Sequence, residues 1–579
     1  MNLKNNKLKT STFIFIFCFT LYQFSHAVVT VGLLGDGCDY DNLFDAYLDN
    51  DPVVHVTNQM NHFDAFTIAK TKYFNGGFNN CFDAENNDVS DTKSVWRKSQ
   101  NETVVKINAN HSEQSIISIS NFEIFGGEDI SFAGVGGISI QGNSSVILNN
   151  IDIHNNRGDL GGGILIFGSD AQLEINHSSI RNNIAETAGG GIYCESNSEV
   201  LIQNDSVIKN NNSLDDGGGI FAISNCQITI STGDTLDPEF TSLGIIDNTA
   251  INFGGGIYAA SDSNINLNGT INHPASVSNN QTMSSSLSAS GGGIYASGLG
   301  TIVRGTNARI DNNFSPRYGA GVAIDDHAVF IMDRTNEPCW DNDKCSSISN
   351  NYTNDNNSGA AAGGFNNAAF VEINRTVISG NRSNYASVFT IGSASTVTME
   401  GNLIVNNTSN SQPFSAELFS LFGQVDNGGT LNFLYNTVSD NNTDNTFKLF
   451  GQDSDQNLKV LHSIINGTGD ILTTTGNMNH NILWGCLIVH ENQSLLGSVF
   501  QSLILNPSFL DIQNGDYHLA SNSPAIDFCD DSITPASNND LNNQPRGIDD
   551  KNSQNFLGTY DLGAYEFQNN DLIFQSGFE

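Results

Sequence analysis

Short runs of β-branched and apolar residues alternate with serine, asparagine and aspartate along most of the chain. Between residues 189 and 211, three glycines precede the extended segments Ile-Tyr-Cys-Glu-Ser, Ser-Glu-Val-Leu-Ile-Gln-Asn and Ser-Val-Ile-Lys-Asn-Asn. Residues of these types favour short strands separated by turns. No apolar stripe with a 3.6-residue period is long enough to indicate a helix between them. The pattern therefore predicts three strands in each unit of 28 residues.

Two short sequence markers recur along the chain with nearly constant spacing. Glycine triplets recur at steps of 28 or 37 residues, and an Ile or Val followed three residues later by Asn recurs at steps of 26 to 38 residues. The triplets begin at Gly161, Gly189, Gly217, Gly254 and Gly291. The asparagines are Asn156, Asn183, Asn211, Asn248, Asn280, Asn313 and Asn351, followed by Asn381, Asn407 and Asn441. Such a period is typical of a solenoid in which each repeat forms one coil.

These observations predict an all-β fold, a right-handed single-stranded parallel β-helix in which each strand pairs with its counterpart in the next coil. At ~4.8 Å per coil, roughly thirteen coils would form a rod of about 60 Å. Asparagine tolerates the left-handed region and its amide both donates and accepts, so the marker asparagines should form a hydrogen-bonded ladder at one corner. Glycine at the next corner permits positive φ and a close backbone approach. Both markers are interpreted as structural.

The phrases Gly-Gly-Gly-Ile and Ile-x-x-Asn resemble the GGA(I/L/V) and FxxN repeats of chlamydial polymorphic outer-membrane proteins and of other bacterial β-helical surface proteins. The resemblance covers residues 150–365 and extends weakly to about residue 500, without the membrane barrel that ends the chlamydial proteins. It implies a β-helix exposed on or beyond the cell surface, with adhesion as a looser implication.

Residues 501–567 resemble the choice-of-anchor C-terminal domain of bacterial β-helix proteins. The matching residues are Asn506-Pro507, Tyr517-His518-Leu519, Ser523-Pro524-Ala525-Ile526-Asp527, Arg546-Gly547 and Asp561-Leu562-Gly563-Ala564-Tyr565-Glu566. That family is defined by a variable sorting or anchoring signal that follows it. The resemblance therefore implies a small C-terminal β domain with a recognition tail at residues 568–579.

Residues 1–27 have the features of a cleaved signal peptide. Three lysines precede an apolar run from Phe13 to Leu21, and small residues lead to a cleavage site after Ala27. This run is shorter than the ~20 residues of a membrane anchor, and no later segment reaches that length. We therefore expect a mature chain without a transmembrane helix, either secreted or displayed on the cell surface. We assign residues 28–100 to an N-terminal cap with the first coils, and residues 101–500 to the β-helix.

Cysteine use agrees with export to an oxidising compartment. Eight cysteines remain in the mature chain: Cys38, Cys81, Cys194, Cys226, Cys339, Cys345, Cys486 and Cys529. An even number in an exported protein indicates disulfides. We prefer the pairs Cys38 with Cys81 and Cys339 with Cys345, although spacing does not fix the connectivity. Because the spacings are not C-x-x-C, no metal site is predicted.

The net charge of the chain limits the classes of partner that it can bind. The 61 acidic and 23 basic residues give a formal net charge of −38. Such a chain repels phosphate backbones, so no nucleic-acid partner is expected. No cofactor is predicted, and weak Ca²⁺ binding by the acidic faces is the one ion interaction that the composition favours.

Enzymes of this fold place acids and a base from neighbouring coils together, and two clusters are candidates. They are Asp215-Asp216 with Arg181 one coil earlier, and Asp325-Asp326-His327 near Arg304. A polysaccharide lyase needs carboxylates that hold calcium and a base that removes a proton. Aspartate before a glycine turn is, however, favoured by turn chemistry alone. An enzyme that binds an acidic polysaccharide also normally uses several lysines and arginines, and this chain has few of them.

We therefore predict no catalytic residue and expect a monomeric, adhesin-like or glycan-contacting rod. Its partner would be an extracellular glycan or a host or matrix surface. Recognition is expected in positions that the repeat leaves free, such as the loops that lengthen two coils from 28 to 37 residues. The alternative is a polysaccharide lyase or glycoside hydrolase with the pectin-lyase-like fold.

Overall fold

The chain winds into a parallel β-helix with three long sheets in which every strand pairing is parallel. The computed structural model describes residues 28–568, with gaps at 65, 99–100, 110–113, 234–243, 285–288, 338–344, 355–358, 411–415, 424–426, 452–455, 468–469, 476–479, 491–494, 496–497 and 531–537. The predicted all-β solenoid is confirmed, while its right-handed sense stays a prediction. The predicted signal peptide and residues 569–579 of the predicted tail lie outside the described residues.

We call the 14-stranded sheet B and the 10-stranded sheet C. The strands of sheet B are Thr67–Ile68, Val105–Ala109, Ile138–Gly142, Ile164–Phe167, Ile192–Glu195, Ile220–Ala222, Ile257–Ala260, Ile294–Ser297, Val322–Asp325, Gly363–Phe365, Ala386–Ile391, Glu417–Gly423, Asn445–Gly451 and Asp470–Thr475. The strands of sheet C are Glu128–Asp129, Arg157–Leu160, Ile184–Ala188, Asn212–Ser213, Thr249–Ala250, Gln281–Thr282, Phe314–Ser315, Tyr352–Thr353, Arg382–Ser383 and Thr408–Ser409.

The 30-stranded sheet, sheet A, consists of two ladders joined at a bend. The first ladder contains Val29–Val31, Val53–Thr57, Lys72–Phe78, Ser115–Ser120, Ser144–Asn149, Gln172–Asn176, Glu199–Gln203, Gln227–Ser231, Asn264–Asn268, Ile302–Thr306, Val329–Asp333, Phe370–Asn374, Thr396–Glu400, Thr430–Leu434, Asn457–Asn466, Asn481–His490 and Ser498–Ile504. The second contains Asn61–His62, Ser94–Arg97, Phe122–Phe125, Asp152–His154, Ser179–Arg181, Val207–Lys209, Gly244–Ile246, Ala275–Ser278, Ala308–Asp311, Ser347–Ser349, Val377–Ser379, Leu403–Val405 and Thr437–Ser439.

A typical coil contains four strands, not the predicted three. The coil of residues 172–195 runs through two strands of sheet A, one of sheet C and one of sheet B. The strand that the prediction missed is the sheet C strand, between the marker asparagine and the glycine triplet. Many strands of sheet C are only two residues long, too short to show an alternating pattern in the sequence.

Stacked aliphatic side chains fill the interior from the first coil to the last. Ile164, Ile192, Ile220 and Ile257 occupy one register position in successive coils, and all four are fully buried. The buried cluster is continuous from Val29 to Val489. Each buried isoleucine contributes about 1.5–3 kcal/mol relative to an exposed one. The repeat therefore supplies its own core, one layer in each coil.

The N-terminal cap contains the helices Leu43–Leu48 and Cys81–Asn86 and the 3₁₀ turn Leu34–Asp36. Asn42 caps the first helix by accepting a hydrogen bond from the Asp45 N–H. In the first helix Leu43 and Tyr47 are buried, whereas 43% of Phe44 and 57% of Leu48 are exposed. Among the described residues, no helix is long and apolar enough to cross a membrane.

The C-terminal segment packs on the outside of sheet A. It includes the antiparallel strands Phe509–Asp511 and Asp516–Leu519 and the 3₁₀ turn Ile512–Asn514. Its Leu541, Ala564 and Tyr565 share a buried cluster with Leu403 and Val405 of the solenoid. This segment therefore covers part of sheet A and leaves the outer face of sheet B to its own side chains.

Candidate functional site

The marker asparagines stack at the corner between sheets A and C, and each is hydrogen-bonded to the next. The backbone N–H and Nδ2 of Asn183 both donate to Oδ1 of Asn211 at 3.0 Å, and Nδ2 also donates to the Ile153 carbonyl. The same contacts recur along the ladder from Asn156 to Asn441. From Asn156 to Asn407 the exposed fraction is 0–1%, so these residues offer nothing to a ligand.

The left-handed conformation falls on the residue before each ladder asparagine. Asn182 and Asn210 both have φ of 54°, and Asp247 has φ of 56°. The expected ladder is present, but the left-handed turn belongs to the residue before each ladder asparagine. Two consecutive residues therefore have different roles. The first turns the backbone, and this turn directs the side chain of the second into the ladder.

Each of the three positions in a triplet requires glycine for a different structural reason. Gly189 has φ of +72°, the left-handed region that glycine adopts without strain. A Cβ on Gly190 would lie 2.4 Å from the carbonyl oxygen of Gly218, and one on Gly191 would lie 2.6 Å from that of Gly219. Gly161, Gly217, Gly254 and Gly291 likewise have positive φ. The triplets are therefore packing positions of the corner between sheets C and B.

Three disulfides join described cysteines. Cys38 is bonded to Cys81, as the sequence suggested, and Cys194–Cys226 and Cys486–Cys529 are the other two. Cys345 is disulfide-bonded, but Cys339 lies outside the described residues, so that pairing stays a prediction. His462 approaches Cys486 and Cys529 closely enough to share a metal ion, but the bond between these cysteines occupies both sulfur atoms.

Neither candidate catalytic cluster is complete, although His327 Nδ1 lies 3.0 Å from Oδ1 of Asp326 in the second. Arg181 lies on sheet A, where its guanidinium donates to Asp152 at 2.6 Å, whereas Asp215 follows a strand of sheet C. Arg304 is exposed on the outer face of sheet A, on strand Ile302–Thr306. Asp325 ends a strand of sheet B and accepts a hydrogen bond from Asn367. The predicted partners therefore belong to different faces of the rod.

An aromatic strip runs along the outer face of sheet B. It consists of Tyr193, Phe221, Tyr258 and Tyr295, which hold one register position in four successive coils. Their ring centroids are 5.1, 4.6 and 5.4 Å apart and the interplanar angles are 15°, 9° and 23°. Strand alternation explains this position, because the isoleucine before each ring points into the core.

The stacking determines which atoms a ligand can reach. Neighbouring rings cover the ring faces, so the strip presents ring edges and phenolic hydroxyls. Tyr193 and Tyr295 are only 6% and 9% exposed, and the Tyr193 hydroxyl donates to Glu195. Phe221 and Tyr258 are partly exposed. The Tyr258 hydroxyl makes no hydrogen bond to any described residue, which makes it the most available polar group of the strip.

Carboxylates border the strip at the corner between sheets C and B. Asp159, Thr187, Asp215 and Asn252 follow one another there from coil to coil. The Thr187 hydroxyl donates to Asp159 at 2.7 Å, and the Asn252 amide donates to Asp215. Each carboxylate is thus held by a neutral donor rather than by a cation, and its negative charge remains beside the aromatic rings.

Asp216 is the exceptional residue of this border. The equivalent residues in the two preceding coils are Ala188 and Leu160, so its carboxyl lies in an apolar row. Burial, and then the charge of Asp215, raise its pKa to about 7, although it accepts a hydrogen bond from the Phe253 N–H. Perturbed carboxyls of this kind are concentrated at functional sites.

The same charges act on the central tyrosine. Burial, followed by the carboxylates of Asp216 and Asp215, raises the pKa of Tyr258 to about 12. The Tyr258 hydroxyl therefore stays protonated and can act as a hydrogen-bond donor at every physiological pH. The sequence analysis attributed Asp216 to turn chemistry. The signal it missed was a carboxylate at a position that is apolar in neighbouring repeats.

A concave surface lies near the last coils, on sheet A. It is an open groove of about 430 Å³, lined by Asn432, Asn457, Lys459, His480 and Asn481 among others. Asn481 donates to Asn457, which donates to Thr430, so the amides are already engaged with one another. The groove lacks the aromatic side chains that make the strip on sheet B distinctive.

Comparisons with known proteins add no relative from which a function could be transferred. The resemblances to polymorphic outer-membrane proteins and to choice-of-anchor domains therefore stay predictions from the quoted motifs. The aromatic strip with its carboxylate border is the site that the geometry itself distinguishes. No protein-family model, no curated protein and no solved structure matches the chain.

Proposed function

We propose that this protein is an exported β-helical rod that holds a glycan along the aromatic strip without cleaving it. The observation that carries this proposal is the repetition of one aromatic position in four successive coils. Coils rise by ~4.8 Å, which is close to the length of one sugar unit in an extended polysaccharide. A row of similar groups at that spacing can meet successive sugars of one chain in the same way.

The strip suits hydrogen bonding at the edge of a sugar ring rather than face-to-face stacking. Tyr258 supplies a hydroxyl that has no bond to a described residue, and Phe221 supplies an apolar ring edge beside it. Glycan sites commonly combine apolar contact with a few fixed polar groups. Affinity would then come from several weak contacts in adjacent coils, as expected of an adhesin-like surface.

A glycoside hydrolase is the second candidate, and one observation favours it. Asp216 has a pKa raised to about 7, as a general acid working near neutral pH requires. Hydrolysis also requires a second carboxylate placed across the scissile bond. Asp215 is adjacent in the chain, but its carboxylate is held by the amide of Asn252 in the next coil. This arrangement favours a binding function over turnover.

We further propose that the rod acts outside the cell or on its surface as a monomer. The predicted signal peptide at residues 1–27 supports export, and the disulfides support an oxidising compartment. The choice-of-anchor resemblance of residues 501–567 supports a role for the tail, residues 568–579, in attachment. Fractionation of cells that express the full chain or a chain truncated after residue 567 tests this role, since only the full chain should remain attached.

Binding of the mature chain to soluble polysaccharides, measured by affinity electrophoresis and calorimetry, tests the glycan proposal. Tyr258→Ala should weaken binding by about tenfold or more, which corresponds to about 1.4 kcal/mol. Tyr352→Ala is the matched control, because Tyr352 also stacks on a phenylalanine but lies on sheet C. Equal losses in both variants would contradict the proposal. Release of reducing sugars that Asp216→Asn abolishes would support the hydrolase instead.

A further inference from the structure

The outer face of sheet B has an unusual distribution of charge. Eight consecutive strands, from Ile138–Gly142 to Gly363–Phe365, contain neither lysine nor arginine. Lysines on this sheet occur nearer its two ends, at Lys106 and at Lys448, and Lys448 is paired with Glu417 at 2.7 Å. Between these lysines, sheet B itself offers no cation to a bound polymer.

Carboxylates lie on both sides of the aromatic strip. Asp159 and Asp215 line the corner with sheet C, and Glu195 and Asp325 end strands on the opposite side, with three strands of sheet B between them. The arginines on the sheet C side do not reverse the negative sign of the charge around the strip. Arg157 is paired with Glu186, and Arg317 is also partnered. These carboxylates do not recur in every coil, but their fields add over the strip and attract a positively charged ligand.

The repeat distance decides which kind of polycation fits. An extended polypeptide advances 3.2–3.4 Å per residue, so its side chains drift out of phase with coils that rise by ~4.8 Å. A β-linked sugar chain advances by about one coil per sugar and stays in phase. A polysaccharide with one amino group per sugar would therefore place each ammonium group in the same relation to each successive coil.

From this charge pattern and repeat distance, we infer that the ligand of the aromatic strip is a polysaccharide of amino sugars with free amino groups. This inference rests on the proposed glycan-binding function and specifies its ligand class. Ammonium groups would lie beside the carboxylates on either side of the strip, and the sugar hydroxyls would meet the hydroxyl of Tyr258. Acidic polysaccharides would be repelled, and neutral ones would lack the electrostatic contribution.

Calorimetry with a β-1,4-linked glucosamine hexamer and its fully N-acetylated counterpart tests the inference. The glucosamine hexamer should bind the mature chain at least about tenfold more tightly at low ionic strength, and the difference should shrink as salt is added. Asp215→Asn, and Glu195→Gln on the opposite side as a second variant, should each reduce this preference. Far-UV circular dichroism checks that both variants retain their strands.

Glu372→Gln is the matched control, because it removes the same charge from the outer face of sheet A. A similar loss in this control would overturn the inference, since it would indicate attraction to the overall charge of −38. A lysine hexapeptide that binds as tightly as the sugar would overturn it as well. Equal binding of both sugars, weakened by Tyr258→Ala, would overturn the inference but preserve the proposed function. Absence of binding to any glycan would reject both.

Discussion

Replacement of Asn211 by alanine should open the β-helix locally at its coil. The Asn211 side chain accepts two hydrogen bonds from Asn183 and donates to the Ile180 carbonyl at 2.9 Å and to Asn248 at 3.0 Å. Alanine leaves the buried Asn183 N–H without an acceptor and removes the side-chain donor from the Ile180 carbonyl. Each unsatisfied buried group costs ~1–3 kcal/mol, so the coil should lose about 2–6 kcal/mol of local stability.

Hydrogen exchange followed by mass spectrometry measures this loss where it occurs. A repeat protein of this length need not unfold in one step, so a global midpoint would average the affected coil with the others. At ~1.4 kcal/mol per tenfold change, amides of residues 180–211 should exchange roughly thirtyfold faster or more. Amides of residues 396–409, several coils away, should keep their protection.

Asn266→Ala is the control for this experiment. Asn266 lies on the outer face of strand Asn264–Asn268, partly exposed, and its side chain makes no hydrogen bond to a described residue. Its replacement should change local stability by no more than about 0.5 kcal/mol. If Asn211→Ala and Asn266→Ala accelerate exchange equally, the ladder does not stabilise the corner, and the structural role given to the marker asparagines is wrong.

Three further predictions concern the corner, the C-terminal segment and the carboxylate border. Gly190→Ala should strongly accelerate hydrogen exchange in its own coil, because its Cβ would lie 2.4 Å from a backbone oxygen. Gly35→Ala should not accelerate exchange, because its Cβ meets nothing within 4 Å. Cys486→Ser opens a disulfide spanning 43 residues and should cost about 4 kcal/mol, seen as faster proteolysis of residues 505–568. Asp216 has a pKa of about 7, raised from 3.8, so it destabilises the fold as pH rises. Asp216→Asn should therefore match the wild-type hydrogen-exchange protection of its coil near pH 4 and exceed it increasingly up to about pH 7.

The coil was predictable from the sequence because its corners demand particular residues. A buried amide that must donate to one coil and accept from another can hardly be anything but asparagine, so Asn183 and Asn211 stand out at a fixed period. Gly190 is equally constrained by the carbonyl oxygen beside it. The strands between the corners tolerate many side chains, and the two-residue strands of sheet C left no recognisable pattern.

Disulfides were only partly predictable because pairing depends on how coils superpose. Cys194 and Cys226 are separated by 32 residues, more than one 28-residue repeat, and they meet because an intervening turn brings them to adjacent interior positions. Cys486 and Cys529 meet only because the C-terminal segment folds back on sheet A. Neither circumstance is visible in the spacing of cysteines along the chain.

The candidate site shows the same division between what the repeat requires and what it leaves free. The outward position of Tyr258 follows from strand alternation, so the sequence could suggest an aromatic face. Asp216 is unusual only by comparison with Ala188 and Leu160, which lie far from it in sequence but occupy the same position in the two preceding coils. Turn chemistry explains an aspartate before glycine, but it does not explain a carboxyl retained in an apolar row at a cost in stability. Function in a β-helix is therefore best sought where one coil departs from the residues that its neighbours place at the same position.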